Sequence, residues 1–564
     1  MITPLREPRL WRLTGQLCAG LAILCILIVT VAMLRAFIHD KQHGPLVTRE
    51  VLEAKAQLRQ TPDDDALKAT LRAADVRVRH AFFDHVSLRQ RGAWLLLGSG
   101  IVLVLSLKLI RLADKRPPVL PTPIAAPAPS PWAVLIVATA TVALFAGGAL
   151  TSRSLTTAAS LLPDDRAAIT IAWPSDQELL ANWPVFRGWG GVGHVAGNYP
   201  HPWDEKSTAW RTPIPLPGKS SPIIWGDSVF ITGADEDRRA LYAFDLATGQ
   251  QRWTLEVPAT MAEGIEHFED TGWAAPTPAT DGTHIYAIFA TGDLVAVDFN
   301  GKKIWQRFLG KPLSAYGYAS SLTLYRGNVI VQWDVGRSES NASSCILAFD
   351  GATGRQVWRT PRAVSASWAS PIVTTQGQLL AVGTPWVAGY DAATGAEHWR
   401  AKLMGPDVGA SPIALADRAF VANEHALLAA INTSARGDVT DSAILWRSDE
   451  GLPDIASPIT DGKRVWTITS AGTLYAFNAA TGIKLYEHDL KRAVHASPVL
   501  VGDTLWLTDI RGVTHIIRAG DSFEKLAATP ALGSVSASLA FAKGRIIVRT
   551  DRHLVCIVPK GGGQ

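Results

Sequence analysis

The stretch Phe244–Trp253, which reads FDLATGQQRW, decides the fold of this chain. It recurs as Phe349–Trp358 (FDGATGRQVW) and Tyr390–Trp399 (YDAATGAEHW), and in altered form as Phe477–Tyr486 (FNAATGIKLY). Val297–Trp305 (VDFNGKKIW) is one residue shorter. Each copy predicts two β-strands joined by a tight turn, because Asp or Asn accepts turn amides and Gly supplies a positive φ angle. The final Trp is predicted to close an outer strand and to pack between adjacent units.

A second element marks the start of each unit, where Ser or Thr precedes Pro and an apolar strand. It occurs at Ser221-Pro222, Thr277-Pro278, Ser370-Pro371, Ser411-Pro412, Ser457-Pro458 and Ser497-Pro498, and without the proline at Ser320-Ser321 and Ala537-Ser538. These eight starts lie about 40–56 residues apart, a period typical of four-stranded propeller blades. The repeat therefore predicts eight blades.

The ends of the repeat region predict how the ring closes. Ser207–Pro215 (STAWRTPIP) has the pattern of an outer strand but precedes the first start. The last unit lacks its own outer strand after Val558. We expect the early strand to complete the last blade, which removes a free sheet edge.

Three apolar stretches in the N-terminal region are predicted membrane spans, at about residues 13–38, 92–112 and 132–150. Their lengths suit a bilayer core. Arginines before the first span, and basic residues between the second and third, predict that both segments are cytoplasmic. The repeat region would then lie on the periplasmic, extracytoplasmic side of an inner-membrane, multi-pass protein. The first span is expected to stay uncleaved, because its apolar run is too long for a signal peptide.

The other N-terminal segments are a predicted helical hairpin at 45–91, with a helix start at Thr61-Pro62-Asp63, and a Pro-rich cytoplasmic loop at 113–131. The hairpin is either a self-packed stalk or a partner-binding coiled coil. The predicted organisation is a membrane region over 1–155, a tether over 156–182 and a propeller over 183–560. The fold class is thus an all-β eight-bladed propeller preceded by an α-helical membrane region with three transmembrane helices and a helical hairpin.

Charge and cysteine usage exclude several classes of function. The net charge is +4, but residues 1–116 hold 18 Lys and Arg against 10 Asp and Glu, so the remainder is mildly acidic. An acidic domain argues against nucleic acid as a partner. The four cysteines, Cys18, Cys25, Cys345 and Cys556, form no CxxC motif and are predicted to be free thiols. No Gly-x-Ser-x-Gly element or phosphate-binding loop is present.

The Asp-x-x-Thr-Gly-x-x-x-Trp element resembles the tryptophan-docking repeat of PQQ-like propellers over about residues 183–560. That group includes quinoprotein alcohol and glucose dehydrogenases and the propeller lipoprotein of the outer-membrane β-barrel assembly machinery. The sequence Trp183-Pro184-x-Phe186-Arg187-Gly188, followed by Gly190-Gly191-x-Gly193, resembles the lead-in of bacterial surface proteins with this repeat, most of which have no assigned activity. The resemblance is specific for fold and is poor evidence for function.

In this fold, the residues just before each start gather at one face around the channel. Candidates for binding a ligand or cofactor there are Lys219, Trp273, Tyr316, Trp368, Arg492 and His495, with His267 and Tyr318 nearby. If the chain is an enzyme, Asp270, Asp407 or Asp454 is the expected base, and Glu269 with Asp270 is the expected metal-binding pair. The same residues are equally consistent with a hydrated rim whose polar groups are all satisfied.

Two functions follow from these expectations. The first is a non-enzymatic scaffold in the cell envelope that binds a protein, a peptide or another ligand without a cofactor. The alternative is a PQQ-dependent dehydrogenase, with Ca²⁺, that oxidises an alcohol or sugar and passes electrons to membrane quinone. The vicinal cysteine pair of many family alcohol dehydrogenases and a haem motif are both absent from the sequence. Membrane-bound glucose dehydrogenases also lack that pair, although their chains are longer.

Overall fold

The computed structural model describes residues 173–558, apart from positions 196, 198, 200, 262–263, 266–267, 269–270, 338–342 and 416, and a few isolated positions between 16 and 106. The repeat region lies in a compact unit, Asp164–Gln564. Among the described residues, no helix is both long and apolar enough to cross a membrane. The predicted hairpin, the Pro-rich loop, the third span and nearly all of the first two spans fall outside the described residues.

Eight antiparallel sheets follow one another along the chain, which confirms the predicted eight-bladed propeller. Strands are numbered in chain order, and β1 (His194–Val195) and β2 (Thr208–Pro213) precede the first blade. The strands of blades one to four are β3–β6 (Ile223–Trp225, Ser228–Ala234, Arg239–Asp245, Gln251–Glu256), β7–β10 (Ala279–Thr280, His284–Ile288, Asp293–Asp298, Lys303–Phe308), β11–β14 (Thr323–Tyr325, Asn328–Trp333, Cys345–Asp350, Gln356–Pro361) and β15–β18 (Ile372–Val373, Gln378–Gly383, Trp386–Asp391, Glu397–Lys402).

Blades five to eight follow the same plan with two additions. Their strands are β19–β23 (Ile413–Leu415, Arg418–Ala422, Leu428–Asn432, Gly437–Asp438, Ile444–Ser448), β24–β27 (Ile459–Thr460, Arg464–Ile468, Thr473–Asn478, Lys484–Asp489), β28–β31 (Val499–Val501, Thr504–Thr508, Thr514–Arg518, Lys525–Ala528) and β32–β34 (Ala540–Ala542, Arg545–Arg549, His553–Ile557). Strand β22 pairs in parallel with β18 of blade four, and β1 pairs in parallel with β28 of blade seven.

The third and fourth strands of a blade are joined by the motif that opens the sequence. In blade one, Asp245 Oδ1 accepts hydrogen bonds from the N–H groups of Ala247 (2.9 Å) and Thr248 (2.8 Å), and Gly249 has a φ of +72°. The two middle strands are almost wholly buried, whereas the outer strand β6 alternates between solvent and the neighbouring blade. This division fits the sequence pattern, because a strand covered on both faces is continuously apolar.

The predicted docking of tryptophans between blades is confirmed for five blade pairs. Each ring lies against the turn glycine of the next blade, so close that a Cβ there would lie within 2.8 Å of it. The pairs are Trp210 on Gly249, Trp253 on Gly301, Trp305 on Gly354, Trp358 on Gly395 and Trp446 on Gly482. Trp210, Trp253, Trp305 and Trp446 also donate their Nε1–H to a carbonyl of that turn.

Trp399 differs from the other motif tryptophans. Blade five replaces the short turn with the longer connection that contains β22, and Trp399 is completely buried in a cluster with Val439 and Ala443. Its Nε1 has no hydrogen-bond partner among the described residues. The insertion is the physical reason for the departure, because it removes the glycine on which this tryptophan would lie.

The predicted ring closure is confirmed. Strand β2 pairs antiparallel with β34, and Trp210 lies opposite Cys556. The last blade therefore takes its outer strand from the start of the repeat region. Cys556 and Cys345 are buried, free thiols, as expected from the sequence.

The start residues of the eight blades form a closed ring of hydrogen bonds, called the hydroxyl ring below. Each backbone N–H donates to the side-chain oxygen of the next start residue at 2.9–3.1 Å. The order is Ser221, Thr277, Ser321, Ser370, Ser411, Ser457, Ser497, Ser538 and back to Ser221. Every member is buried. A small hydroxyl residue is thus required at each start.

The two faces of the ring are distinguished by their connections. The connections that lead from the outer strand of one blade to the start of the next are called approach segments, and the face on which they lie is called the open face. There they contact the turns between the second and third strands, and in blade seven Ile510 N–H donates to Ala493 O (2.9 Å). On the other face, the remaining turns contact each other, as where Leu246 N–H donates to Asp227 O (3.0 Å). Alternate turns of an antiparallel meander lie at opposite edges of the sheet, which explains this division.

The second face, called the capped face, is covered by the described residues between 183 and 203, which are called the cap segment. Trp183 forms a β-bridge with Ile224 of blade one, and Pro184 O accepts from Thr280 N–H of blade two. Further along, β1 pairs with blade seven, and Tyr199 contacts Phe541 of blade eight.

Two glycines let the cap segment lie flat on the ends of the inner strands. Gly191 and Gly193 both have positive φ angles, where side chains are disfavoured. A Cβ at Gly191 would lie 2.6 Å from Ile372 Cγ2, and a Cβ at Gly193 would lie 3.2 Å from the carbonyl oxygen of Pro498. The Gly190-Gly191-x-Gly193 motif is therefore explained by close packing on blades four and seven.

A short helix precedes the cap segment, within the predicted tether. Helix α1, Asp176–Ala181, begins with a capping box in which Ser175 Oγ accepts from Glu178 N–H and Glu178 Oε2 accepts from Ser175 N–H. Leu179 is completely buried, so one side of this helix is packed. Two 3₁₀ turns, Trp189–Gly191 and Glu205–Ser207, follow.

Candidate functional site

The approach segments carry the residues that the sequence singled out, and backbone hydrogen bonds join neighbouring segments. Lys219 N–H and Ser220 N–H both donate to Ala274 O at 3.0 Å, which links blades one and two. Trp368 N–H donates to Val408 O at 2.9 Å, which links blades four and five. The segments form a rim on the open face, and these bonds join neighbouring segments at two of its junctions.

An aromatic cluster of Phe268, Tyr316 and Trp368 spans three successive approach segments of this rim. The ring centroids of Phe268 and Tyr316 are 4.9 Å apart, and those of Tyr316 and Trp368 are also 4.9 Å apart in an edge-on arrangement. Trp368 Nε1–H donates to Gly317 O (2.8 Å), which fixes its ring against blade three. Tyr316 and Trp368 are both half-buried. Edge-on aromatic pairs add stability beyond the area that they bury.

Tyr316 and Trp368 are thus predicted site residues that the structure brings together. Phe268, the third member of the aromatic cluster, was not among them. The sequence signal was present, because Phe268 stands between His267 and Glu269 in the same segment. Tyr318, in contrast, is buried and its hydroxyl donates to Gln332 O (2.9 Å), so it belongs to the core of blade three.

The candidate acids Asp407 and Asp454 lie in the approach segments of blades five and six. Asp454 Oδ1 accepts from Ser470 N–H (3.0 Å), so this carboxylate caps a turn of its own blade. Asp407 has a φ of +55°, in the left-handed region, and its backbone carbonyl accepts from Asn423 Nδ2 (3.4 Å). Each acid therefore has a described structural contact, and no described contact joins the two carboxylates.

The remaining candidates are spread around the rim. Lys219 Nζ forms an ion pair with Asp551 Oδ1 (3.2 Å) across the junction between blades eight and one. Arg492 is exposed, and His495 and Trp273 are half-buried in the approach segments of blades seven and two. Lys219, Arg492 and His495 lie in different segments from the aromatic cluster, whereas Trp273 shares the approach segment of blade two with Phe268.

Glu269, Asp270 and His267 fall outside the described residues. Among the residues that are described, no group of three His, Cys, Asp or Glu side chains could hold a metal ion. The described part of the rim is therefore aromatic and mixed in charge, without a cluster of oxygen ligands of the kind that Ca²⁺ requires.

Exposed apolar side chains extend the open face around the aromatic cluster. Met261, Leu313 and Ile455 lie in the approach segments of blades two, three and six, and Ile510 lies in a turn of blade seven on the same face. Leu313 is 56% exposed. These side chains add apolar surface to the open face in blades two, three, six and seven.

Comparison with known proteins agrees with this architecture. A profile of the family described as "Outer membrane protein assembly factor BamB" matches residues 198–333 and 342–562. A search of curated proteins found no match.

Three solved structures have a similar fold. A europium-containing methanol dehydrogenase has 11% identity and a TM-score of 0.53, with 67% of this chain and 92% of that chain covered. The quinohemoprotein alcohol dehydrogenase of Comamonas testosteroni has 11% identity and a TM-score of 0.52, with coverages of 68% and 81%. BamB of Moraxella catarrhalis has 17% identity and a TM-score of 0.47, with coverages of 63% and 98%.

Proposed function

This chain belongs to the PQQ-like repeat family described as outer membrane protein assembly factor BamB, and from that premise we propose that it is a non-enzymatic scaffold. Its open face binds an apolar, aromatic-rich segment of another envelope protein. The observation that carries the proposal is the aromatic cluster of Phe268, Tyr316 and Trp368 within a rim of exposed apolar side chains. The description of the family as an assembly factor supports a protein partner.

The open face has aromatic side chains in fixed positions, which suits the binding of such a partner. Aromatic side chains contribute large contact areas at low cost in conformational entropy, and they are enriched at the energetic centres of interfaces. Trp368 is held by its hydrogen bond to Gly317 O, and its backbone is tied to Val408 O. The rim is therefore preorganised, which lowers the ordering cost of binding.

The proposal places the propeller on the extracytoplasmic side of the inner membrane. It rests on the predicted spans at about 13–38, 92–112 and 132–150 and on the basic residues that flank them. A partner in the envelope would then meet the propeller without crossing a membrane. The predicted hairpin over 45–91 would lie on the same side.

Site-specific photo-cross-linking in cells tests the scaffold. A photoreactive amino acid is placed at Leu313 on the open face and, as the matched control, at Ile483, an exposed apolar residue (64%) in a turn of the capped-face side. We expect a discrete adduct from position 313 that Trp368→Ala abolishes, and none from position 483. Equal adducts from both positions, or an adduct at position 313 that survives Trp368→Ala, would contradict the proposal.

The second candidate function is a PQQ-dependent dehydrogenase. The Tyr316–Trp368 pair favours it, because a flat quinone stacks on aromatic rings. The described residues do not fit the accompanying cation, since they contain no group of three His, Cys, Asp or Glu side chains that could hold a metal ion, and Asp454 accepts a hydrogen bond from Ser470 N–H. No catalytic step is therefore assigned.

Titration of the full-length chain with PQQ and Ca²⁺, read out by tryptophan fluorescence, separates the two candidates. The scaffold predicts no saturable quenching at micromolar PQQ. Saturation near one equivalent that Trp368→Ala removes would favour the dehydrogenase and would justify a screen of alcohols and sugars.

A further inference from the structure

The cap segment carries one charged side chain into the interior of the ring. Arg187 is 1% exposed, and its Nη2 donates to Pro458 O at 2.7 Å. Pro458 directly follows Ser457 of the hydroxyl ring. A Cβ at Gly193 would lie 3.2 Å from Arg187 Nη2 and 3.2 Å from Pro498 O, the residue after Ser497. The guanidinium therefore lies on the capped side of the hydroxyl ring, near the carbonyl groups of the residues that directly follow Ser457 and Ser497.

The guanidinium of Arg187 is incompletely satisfied. Its Nε and Nη1 are buried and have no hydrogen-bond partner among the described residues. Burial lowers the pKa of Arg187 to about 9, and no neighbouring carboxylate offsets that effect. A guanidinium has five N–H donors and remains charged in proteins, so the positive charge stays where it is. Burying such a charge without an opposite charge is costly.

A second buried arginine shows one way in which this protein meets that cost, although the buried Arg549 donates to Ser220 O (3.1 Å) and has no described ion pair. Arg362, between blades three and four, lies against the buried carboxylate of Asp334. Gln332 Nε2 (2.7 Å) and Ser367 Oγ (2.7 Å) also donate to Asp334 Oδ2, so the anion is well held. Arg187 has one described acceptor, a backbone carbonyl, in place of such a group. The contrast shows that Arg187 lacks a counter-ion from the described residues.

The backbone at Arg187 adds an independent observation. Its φ is +63°, in the left-handed region, where a long side chain is disfavoured and glycine is preferred. Strained backbone that persists at a buried polar residue is a feature of functional sites. A guanidinium is therefore held beside the hydroxyl ring despite both a strained backbone and the burial of its charge.

We propose that Arg187 binds a small inorganic anion of about the size of chloride beside the hydroxyl ring, through N–H groups that have no protein acceptor. A small ion is proposed because Arg187 is almost wholly enclosed, at 1% exposure. On the side of its Nη2, Ile459 Cδ1 and Nη2 itself both lie within 3.2 Å of the position that a Cβ at Gly193 would take. The bound anion neutralises the guanidinium and thereby stabilises the cap segment on the ring.

Thermal unfolding of the full-length chain tests this site. Chloride is titrated against gluconate, a bulkier anion, at constant ionic strength. A ligand that binds only the folded state raises the midpoint with the logarithm of its concentration, by about 3 °C at a hundred times the dissociation constant for a domain of this size. We expect this slope in the wild type and its loss in Arg187→Gln.

Arg211→Gln is the matched control, because Arg211 also donates to a carbonyl, Leu532 O (2.8 Å), but is exposed. It is expected to keep the chloride dependence of the wild type. An equal chloride dependence in wild type and Arg187→Gln would overturn the proposal.

Should Arg187→Gln fail to fold, a crystal of the wild-type chain grown in bromide decides. An anomalous peak within about 3.5 Å of Arg187 Nε or Nη1 supports the proposal, and its absence there overturns it.

Discussion

The two faces of this propeller are built from the same repeat but are covered by different segments of the chain. The capped face is closed by the chain itself, because Trp183, Arg187 and β1 contact blades one, six and seven. The open face ends in approach segments that expose Leu313 and other apolar side chains. The Trp-Pro-x-Phe-Arg-Gly lead-in therefore contributes to the packing of the ring, whereas the less regular approach segments carry the recognition surface that we propose.

The largest effect is expected from Trp183→Ala on the capped face. Trp183 is 3% exposed, packs against Phe541 at 5.5 Å between ring centroids, and lies over Gly188. Removing a buried Trp side chain costs about 3–5 kcal/mol of unfolding free energy. Denaturant unfolding of the full-length chain measures it. A loss no greater than that of an exposed substitution would mean that the cap segment is not packed as described.

Much of this comparison could be predicted from the sequence, but unevenly. The eight starts, the docking of tryptophans such as Trp253 and the closure by Ser207–Pro215 follow from local spacing, because each repeat is one structural unit. The sequence did not predict that the start hydroxyls accept amides from the preceding blade. Seven of those bonds join residues 40–56 positions apart, and the eighth, from Ser538 N–H to Ser221 Oγ, spans 317 positions and forms only once the ring has closed.

The candidate site was predicted less completely than the fold. Position in the repeat placed Tyr316 and Trp368 on one face, but it could not distinguish a free carboxylate from Asp454, whose partner Ser470 N–H lies in another turn. Phe268 was not predicted because a single Phe carries no spacing pattern that distinguishes a side chain on the rim from one in the core. The exceptional burial of Trp399 depends on an insertion in the next blade, which no feature of its own motif signals.

A second, smaller effect is expected between the faces, at the hydroxyl ring. Ser457→Ala removes the acceptor of the buried Ser411 N–H, which now donates at 3.1 Å. An unsatisfied buried donor costs about 1–3 kcal/mol. Ser522→Ala, at an exposed serine, is the control and should change the unfolding free energy by less than about 0.5 kcal/mol. Matching losses in the two variants would refute the structural role of the ring.

The third effect depends on pH and again separates the faces. Burial lowers the pKa of His194 on the capped face from its usual 6.5; a hydrogen bond to Thr460 O (2.7 Å) and the charge of Asp461 oppose this, and Arg187 reinforces it. Below pH 6.5 the unfolded chain takes up the proton before the folded chain does, so stability falls as pH falls through this window.

His194→Gln removes that proton-binding group and keeps an N–H donor. Unfolding free energies of the variant and the wild type are compared from pH 8 to pH 5. Below pH 6.5 the wild type should lose stability relative to the variant. A constant difference across this range would contradict the burial of His194.

The smallest effect on stability is expected on the open face. Leu313→Ser replaces an exposed side chain and should change the unfolding free energy by less than about 0.5 kcal/mol. The same substitution should weaken cross-linking from a photoreactive residue at Ile455, which lies on the same face. Full stability with undiminished cross-linking would show that Leu313 lies outside the recognition surface.

Hydrogen–deuterium exchange of the full-length chain tests whether the cap segment closes one face while the described residues leave the other uncovered. The N–H of Trp183 donates to Ile224 O, and Gly193 O accepts from Leu500 N–H, both at 2.9 Å. Peptides covering 183–195 should therefore exchange as slowly as the inner strands, and peptides covering 310–316, in the approach segment of blade three, should exchange much faster. Rapid exchange across 183–195 would contradict the account, because the capped face would then be as accessible as the open one.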